Sequence, residues 1–225
     1  MKRIIIAIDG PAASGKSTAA KLLARKLGYV YLDTGAMYRA CALAAKRARI
    51  DITDPLALAA LMSRIKIRIS FAEEGNIIEL NGEDVSSAIR EPDISLLASA
   101  ISAQRLVREK MVELQREMGR HGGVVLDGRD IGTVVFPDAG LKFFLVAPPE
   151  VRARRRYLEL LQKGLKPLYA EVLQEMIARD EADSSRELAP LVPAEDAIHI
   201  DTKDYGIEEL TELLHRHFLK RAEGQ

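Results

Sequence analysis

The sequence predicts an α/β protein: a central parallel sheet of about five strands between helices, three layers in all, with a small antiparallel sheet inserted. Three observations carry this. Five short apolar runs (4–8, 29–32, 123–126, 142–147 and 197–200) read as strands, and several lack polar alternation, as strands buried on both faces do. Helical patterns alternate with them, which implies parallel pairing through right-handed crossovers. Between about Ile65 and Val85 the pattern switches to period two with turn signals, the mark of an antiparallel meander with one wet face.

Each element has a local reason. Ile4, Ile5, Ile6, Ala7 and Ile8 form a β-branched run that Asp9 and Gly10 end. After a Gly-rich turn, a helix runs from Lys16 to about Leu27, with Gly28 as its C-cap. Y-V-Y-L at 29–32 is the second strand, 36–48 an Ala-rich helix, and Asp54-Pro55 opens another helix with proline in its first turn. I-K-I-R-I-S-F at 65–71 alternates apolar and polar. Glu74-Gly75-Asn76 signals a turn, Ile77 to Leu80 a strand, and Asn81-Gly82 a second turn. One long helix is expected from about Ile94 to Met118, ending near Gly122-Gly123. Further helices follow at about 149–163 and 168–184, and an amphipathic one closes the chain at about 206–221.

Composition narrows the function classes. The 225 residues suit one domain, or a core with a small insert. Lys plus Arg and Asp plus Glu both total 33, and a neutral chain is poorly suited to bulk binding of nucleic acid or an anionic membrane. Arg outnumbers Lys 21 to 12, and guanidinium grips phosphate bidentately. Cys41 is the sole cysteine, so no intrachain disulfide forms, and it reads as a small apolar helix residue. The run at 4–8 is too short for a signal peptide and no stretch nears the roughly 20 apolar residues of a membrane span, so a cytoplasmic location is expected.

Residues 10–18 read G-P-A-A-S-G-K-S-T, and Gly10, Gly15, Lys16 and Ser17 satisfy the P-loop pattern between a strand and a helix. Glycines let the backbone wrap until its N–H groups face phosphate oxygens, and the helix N-terminus adds positive potential there. Lys16 reaches β- and γ-phosphates, and the Ser17 hydroxyl is a Mg²⁺ ligand. The pattern marks a nucleoside triphosphate site and leaves the phosphate acceptor open.

Arg152, Arg155 and Arg156 share a helix face at i, i+3 and i+4. On spacing alone, a cluster that neutralises phosphoryl-transfer charge and a solvated basic face paired with Glu150 and Glu159 are equally good readings. Arg179, Asp183 and Arg186 share another face, either a polar ligand site or an ion-pair ladder. G-R-D-I-G-T from Gly128 puts Arg129 and Asp130 just past a buried strand, where open α/β sheets bind ligands. Asp33-Thr34-Gly35 follows the second strand likewise, with Arg39 one turn on. Asp127 suits either a Mg²⁺-water contact or a turn. His199 and His121 read as structural or solvated, and His215 and His217, two apart on a helix, are poorly placed to share a metal.

G-P-A-A-S-G-K-S-T, D-T-G-A-M-Y-R at 33–39, D-G-R-D-I-G-T-V-V-F-P-D-A at 127–139 and A-P-L-V-P-A at 189–194 together strongly resemble the bacterial cytidylate kinases. The resemblance spans nearly the whole chain. It implies a P-loop NTPase fold with a core at about 1–34, 120–147 and 190–225, a monophosphate-binding subdomain at about 35–95, and a lid at about 148–168. It implies ATP bound by Gly10, Pro11, Ala12, Ala13, Ser14, Gly15, Lys16, Ser17, Thr18 and Arg155. Thr34 and Arg39 would position the acceptor's ribose-phosphate end, and Arg129 would hold its phosphate. Ser99, Arg108, Asp130 and Arg186 would read cytosine, and Arg179 and Asp183 would face the sugar. Lys16, Arg129, Arg152, Arg156 and Arg179 would be catalytic. The expected reaction moves the γ-phosphate of ATP to CMP or dCMP with Mg²⁺ on Ser17, in a cytoplasmic monomer that needs neither nucleic acid nor membrane. The lid and the monophosphate segment are expected to close so that water is excluded. Alternatives are a P-loop kinase for UMP or another phosphorylated metabolite, and a nucleotide-gated switch or RNA-associated P-loop protein.

Overall fold

The computed structural model describes residues 3–72 and 75–223. The chain begins with β1 (Ile5–Asp9), α1 (Lys16–Leu27), β2 (Val30–Asp33), α2 (Thr34–Ala48) and α3 (Pro55–Arg64). Then come β3 (Ile67–Ala72), β4 (Gly75–Leu80), β5 (Glu83–Asp84), α4 (Pro92–Ile101) and α5 (Arg105–Gly119). The rest is β6 (Val124–Gly128), β7 (Leu141–Val146), α6 (Pro149–Gln162), α7 (Tyr169–Ser184), β8 (Ile198–Asp201) and α8 (Ile207–Glu223). A five-stranded sheet has the order β2-β6-β1-β7-β8, and β3-β4-β5 form a second sheet. Both expected sheets are therefore present. Among the described residues no helix is long and apolar enough to cross a membrane.

The described residues fall into two units, one running up to Tyr29 and again from Gly123, the other Val30–Gly122. In the first, β1 pairs in parallel with β6 and β7, and β7 with β8. Ile6, Ala7 and Ile8 are wholly buried, which explains the unalternated run. Each isoleucine so buried contributes roughly 1.5–3 kcal/mol. The register sets Ile8 beside Asp127 and Asp9 beside Gly128, so β1 and β6 end together and their following loops leave from one edge. Gly28 adopts the left-handed cap conformation (φ 62°), with Tyr29 N–H bonded to the Ala24 carbonyl, as its position in the sequence suggested.

The second unit is built on the Ala-rich face of α2. Ala36, Ala40 and Ala44 are small enough for neighbouring helices to approach closely, and Met37, Cys41, Ile89, Ile101 and Met111 fill the core. Cys41 is fully buried there, and its thiol is pushed up to about 12 by desolvation. β3 and β4 pair antiparallel, Ile69 opposite Ile78 and Ile67 opposite Leu80. Asn81 and Gly82 both have positive φ (54° and 88°), the backbone a tight hairpin demands between β4 and β5.

Two local expectations need correction. The helix expected from Ile94 to Met118 is two helices. Gln104 is extended (φ −75°, ψ 124°), and the Ser102 hydroxyl donates to the Ser99 carbonyl at 2.8 Å, so the chain turns while its apolar periodicity runs on. Of the expected turn at Glu74-Gly75-Asn76, Glu74 lies outside the described residues and Gly75 and Asn76 already belong to β4. Asn76 ties that strand to β2: its Oδ1 accepts from Asp33 N–H (2.8 Å) and its Nδ2 donates to the Tyr31 carbonyl (2.7 Å).

Candidate active site

In the first unit the site is built outward from the loop between β1 and α1. Gly10 (φ 150°) lies so close to β7 that a Cβ there would sit 2.1 Å from the Leu145 carbonyl oxygen. Gly15 (φ 88°) makes the turn into α1. Ala13 also has positive φ (56°), and it packs beside the cluster of Ala153, Val172 and Met176. Lys16 is buried, and its ammonium donates to the Pro11 carbonyl at 2.9 Å, folding the side chain back over the loop.

Three consecutive loop carbonyls have fixed partners. Ala12 accepts from Arg152 Nη1 (3.2 Å), Ala13 from Arg155 Nη1 (3.5 Å) and Ser14 from the Thr202 hydroxyl (2.9 Å). In a planar trans peptide the C=O and the next N–H point opposite ways, so these bonds aim the N–H groups of Ala13, Ser14 and Gly15 away from Arg152, Arg155 and Thr202 respectively. A loop with no acid of its own and its N–H groups so directed can receive an anion. Arg152 is held further by the Ala147 carbonyl (2.8 Å) and by Asp180 of α7. Arg155 donates to the Thr202 carbonyl at 2.6 Å. Arg156 instead pairs with Glu159 one turn along (2.8 Å). Spacing left open whether the α6 arginines are a solvated face. Arg152 and Arg155 reach the loop, and Arg156 makes the ion pair.

Past β6, Arg129 Nε donates to Asp183 Oδ2 at 2.8 Å, and Arg186 bonds the other oxygen. Asp183 is 1% exposed. Burial pushes its carboxyl up, but Arg129, Arg186 and Arg179 together hold it below the ordinary value. A chain separation of 54 residues between Arg129 and Asp183 is thus closed by one ion pair on the buried Asp183 carboxylate. Asp130, the next residue after Arg129, is buried. Ser17, in the first turn of α1 with Thr18, donates its hydroxyl to Asp127 Oδ2 at 2.5 Å.

In the second unit, Asp33 caps α2, accepting from Ala36 N–H at 2.9 Å, and its other oxygen pairs with Arg39 at 2.9 Å. A Cβ on Gly35 would lie 3.2 Å from the Asp33 carboxylate and 3.5 Å from the Arg39 guanidinium, so glycine leaves this pair room to close. Thr34 is buried in the first turn of α2. The break between α4 and α5 gathers Ser99, Ser102 and Arg108. Ser102 bonds Ser99, and Arg108 Nη1 donates to the Ser102 carbonyl at 3.3 Å, with its guanidinium 5.8 Å from the centre of the Tyr38 ring.

Three residues with evident roles were not picked out from the sequence. Asp180 holds Arg152, and its only signal was its place one turn before Asp183 on α7. Thr202 had none, standing between a strand and a helix. Asp9 accepts from the backbone N–H groups of Ile131 (2.9 Å) and Gly132 (2.7 Å), and its signal was a carboxylate on the last residue of a buried strand.

A family model described as cytidylate kinase matches residues 6–220. A cytidylate kinase of Geobacter sp. (strain M21) is 50% identical over 224 residues, covering 98% of this chain and 95% of that protein. One of Bacillus velezensis is 50% identical over 209 residues, covering 93% of each. Among solved structures, shikimate kinase from Bacteroides thetaiotaomicron superposes with a TM-score of 0.50 at 16% identity over 96% of this chain and 98% of that one, a likeness of fold alone.

Proposed function

The chain belongs to the cytidylate kinase family, and from that premise we propose how its residues divide the work of moving the γ-phosphate of ATP to the 5′-phosphate of CMP or dCMP. The observation that carries this division is the loop with Arg152 and Arg155 fixed on its carbonyls, together with a separate set in which Arg129, just past β6, and Arg186 both pair with the buried Asp183 of α7.

No protein nucleophile takes part. An oxygen of the acceptor phosphate attacks the γ-phosphorus, the bond to the β,γ-bridging oxygen breaks, and ADP and CDP result. Catalysis is positioning and charge stabilisation. The backbone N–H groups of Gly10 to Thr18 receive the triphosphate, and Lys16 leaves the Pro11 carbonyl to bind its β- and γ-oxygens. Arg152 and Arg155 stand at the same loop. Arg156 and Arg179 exchange their present partners for the transferring group, and Arg129 holds the acceptor phosphate. Thr34 and Arg39 position the ribose-phosphate end.

The Ser17–Asp127 pair fits Mg²⁺, a hard cation that takes oxygen donors and keeps most of its waters. When bound, the ion would supply charge neutralisation at the phosphates, with Ser17 as direct ligand and Asp127 holding a coordinated water. Base choice follows from the cytosine edge, an N4 donor beside N3 and O2 acceptors. Asp130 accepts from N4, and Arg108 and Arg186, with Ser99, complete the contacts. Asp183 and Arg179 face the sugar. Uracil would oppose an oxygen to the buried carboxylate, a mismatch worth several kcal/mol.

A coupled ADP assay with ATP and Mg²⁺ across CMP, dCMP, UMP, AMP and GMP tests this. CMP and dCMP should exceed UMP in kcat/KM by about a hundredfold. Comparable values would remove Asp130 as the base reader. We also take the enzyme to be a monomer, which sedimentation of the purified chain checks, and cytoplasmic, which fractionation of the cells checks.

A further inference from the structure

Asp130 stands at the N-terminal end of a single π-turn, Ile131–Val135, whose last two N–H groups, those of Val134 and Val135, return to the Asp130 carbonyl. The first N–H groups of such a turn have no partner within it and need an acceptor. An aspartate at this position ordinarily supplies its own carboxylate. Asp130 does not make that bond. Asp9, 122 residues before Ile131 in sequence and 5% exposed, takes the first two N–H groups instead, one on each carboxylate oxygen, from Ile131 at 2.9 Å and Gly132 at 2.7 Å. The approach is close by design of the sequence. A Cβ on Gly132 would meet the Lys142 side chain at 3.1 Å and Asp9 Oδ2 at 3.4 Å. Asp9 also directly precedes Gly10, whose own Cβ space is taken by β7. One side chain therefore joins the strand that launches the phosphate loop to the turn that carries Arg129 and Asp130.

We infer that Asp9 is a positioning residue for the acceptor: by capping the 131–135 turn from outside, it sets where Arg129 and Asp130 stand and leaves the capping bond unmade by Asp130. The inference rests on the assignment of Arg129 and Asp130 to acceptor phosphate and base. Asp9 itself, buried and turned to backbone, touches no substrate.

The test is Asp9→Asn, which keeps volume and one acceptor oxygen but turns an NH₂ toward the second amide, with Asp9→Ala beside it. Arg129→Ala and Asp130→Ala serve as controls. Asp9→Asn should raise the KM for CMP at least tenfold and reduce the CMP-to-UMP ratio of kcat/KM at least fivefold. The Kd for a fluorescent ATP analogue measured without CMP should stay within twofold. Amide exchange at Ile131 and Gly132 should quicken. A merely structural carboxylate would instead weaken ATP and CMP together, and that parallel loss overturns the inference. So does an unchanged KM and ratio in Asp9→Asn when the two controls change them. If the controls change neither, the base and phosphate assignment fails. Asp9's hold on the turn is then judged by exchange alone, and unaltered exchange of the two amides overturns it.

Discussion

Replacing Asp9 by Asn should make the stability of this protein respond differently to pH, by an amount that follows from the site. The Asp9 carboxyl is pushed up from 3.8 to about 7, chiefly by burial. The N–H groups of Gly132 and Ile131 oppose the shift, nearby Asp130 adds to it, and Arg129 opposes it. The Lys142 side chain is also close, packing against Gly132, but its ammonium is engaged by the Pro137 carbonyl and Asp196. The native state thus keeps a proton that the unfolded chain has lost. Its contribution is fully present below pH 3.8 and is lost as pH rises through 7. At 1.36 kcal/mol per unit the loss is about 4 kcal/mol. Asn does not titrate, so the stability of Asp9→Asn minus that of the parent should grow by about 4 kcal/mol from pH 4 to pH 8. The broken N–H bond adds a constant offset and leaves this slope alone. Urea unfolding at four pH values and fixed ionic strength reads the difference directly. A flat difference would refute the reasoning. One that shrinks with pH would show that the two N–H bonds outweigh burial. The variant expected to lose acceptor recognition is therefore also expected to gain stability relative to the parent as the solution turns alkaline.

Lys16→Ala should lower kcat by about two to three orders of magnitude while the Kd for CMP moves little, since the lysine serves the transferring group; rapid-quench turnover and CMP titration separate the two. Asp180→Ala strips the carboxylate from Arg152, which is 3% exposed, so it should cost roughly 3 kcal/mol in denaturant unfolding and lower kcat about tenfold with the KM for CMP unchanged. Gly10→Ala sets a methyl against the Leu145 carbonyl at 2.1 Å, and strand backbone cannot step aside. A loss of about 3 kcal/mol or more is expected, visible as a fall of roughly 6–12 °C in Tm.

The chain's legibility varied with the range of the interaction concerned. Strands announced themselves because burial on both faces forbids polar alternation, as at Ile6–Ile8. The Asn81-Gly82 hairpin was readable because positive φ at both positions selects those residues. The long helix was misread because Ser102, Ala103 and Gln104 include neither Gly nor Pro, and apolar spacing continued across the break that brings Arg108 back to Ser102. Helix spacing put Arg152, Arg155 and Arg156 on one face, yet only the fold showed two of them on loop carbonyls and the third on Glu159.

By itself the sequence determined the α/β alternation, the phosphate loop, and the residue types a nucleotide kinase requires. Those depend on backbone preferences and on neighbours within a turn or two. Tertiary structure alone decided which carboxylate holds which cation or amide: Asp183 for Arg129 and Arg186, Asp180 for Arg152, Asp9 for the turn after Asp130. Any of the chain's 33 acids would serve such a role chemically. The choice falls to those that folding brings within reach of a partner: a buried charge such as that of Arg152 or Asp183 must be paired, and an exposed one need not be.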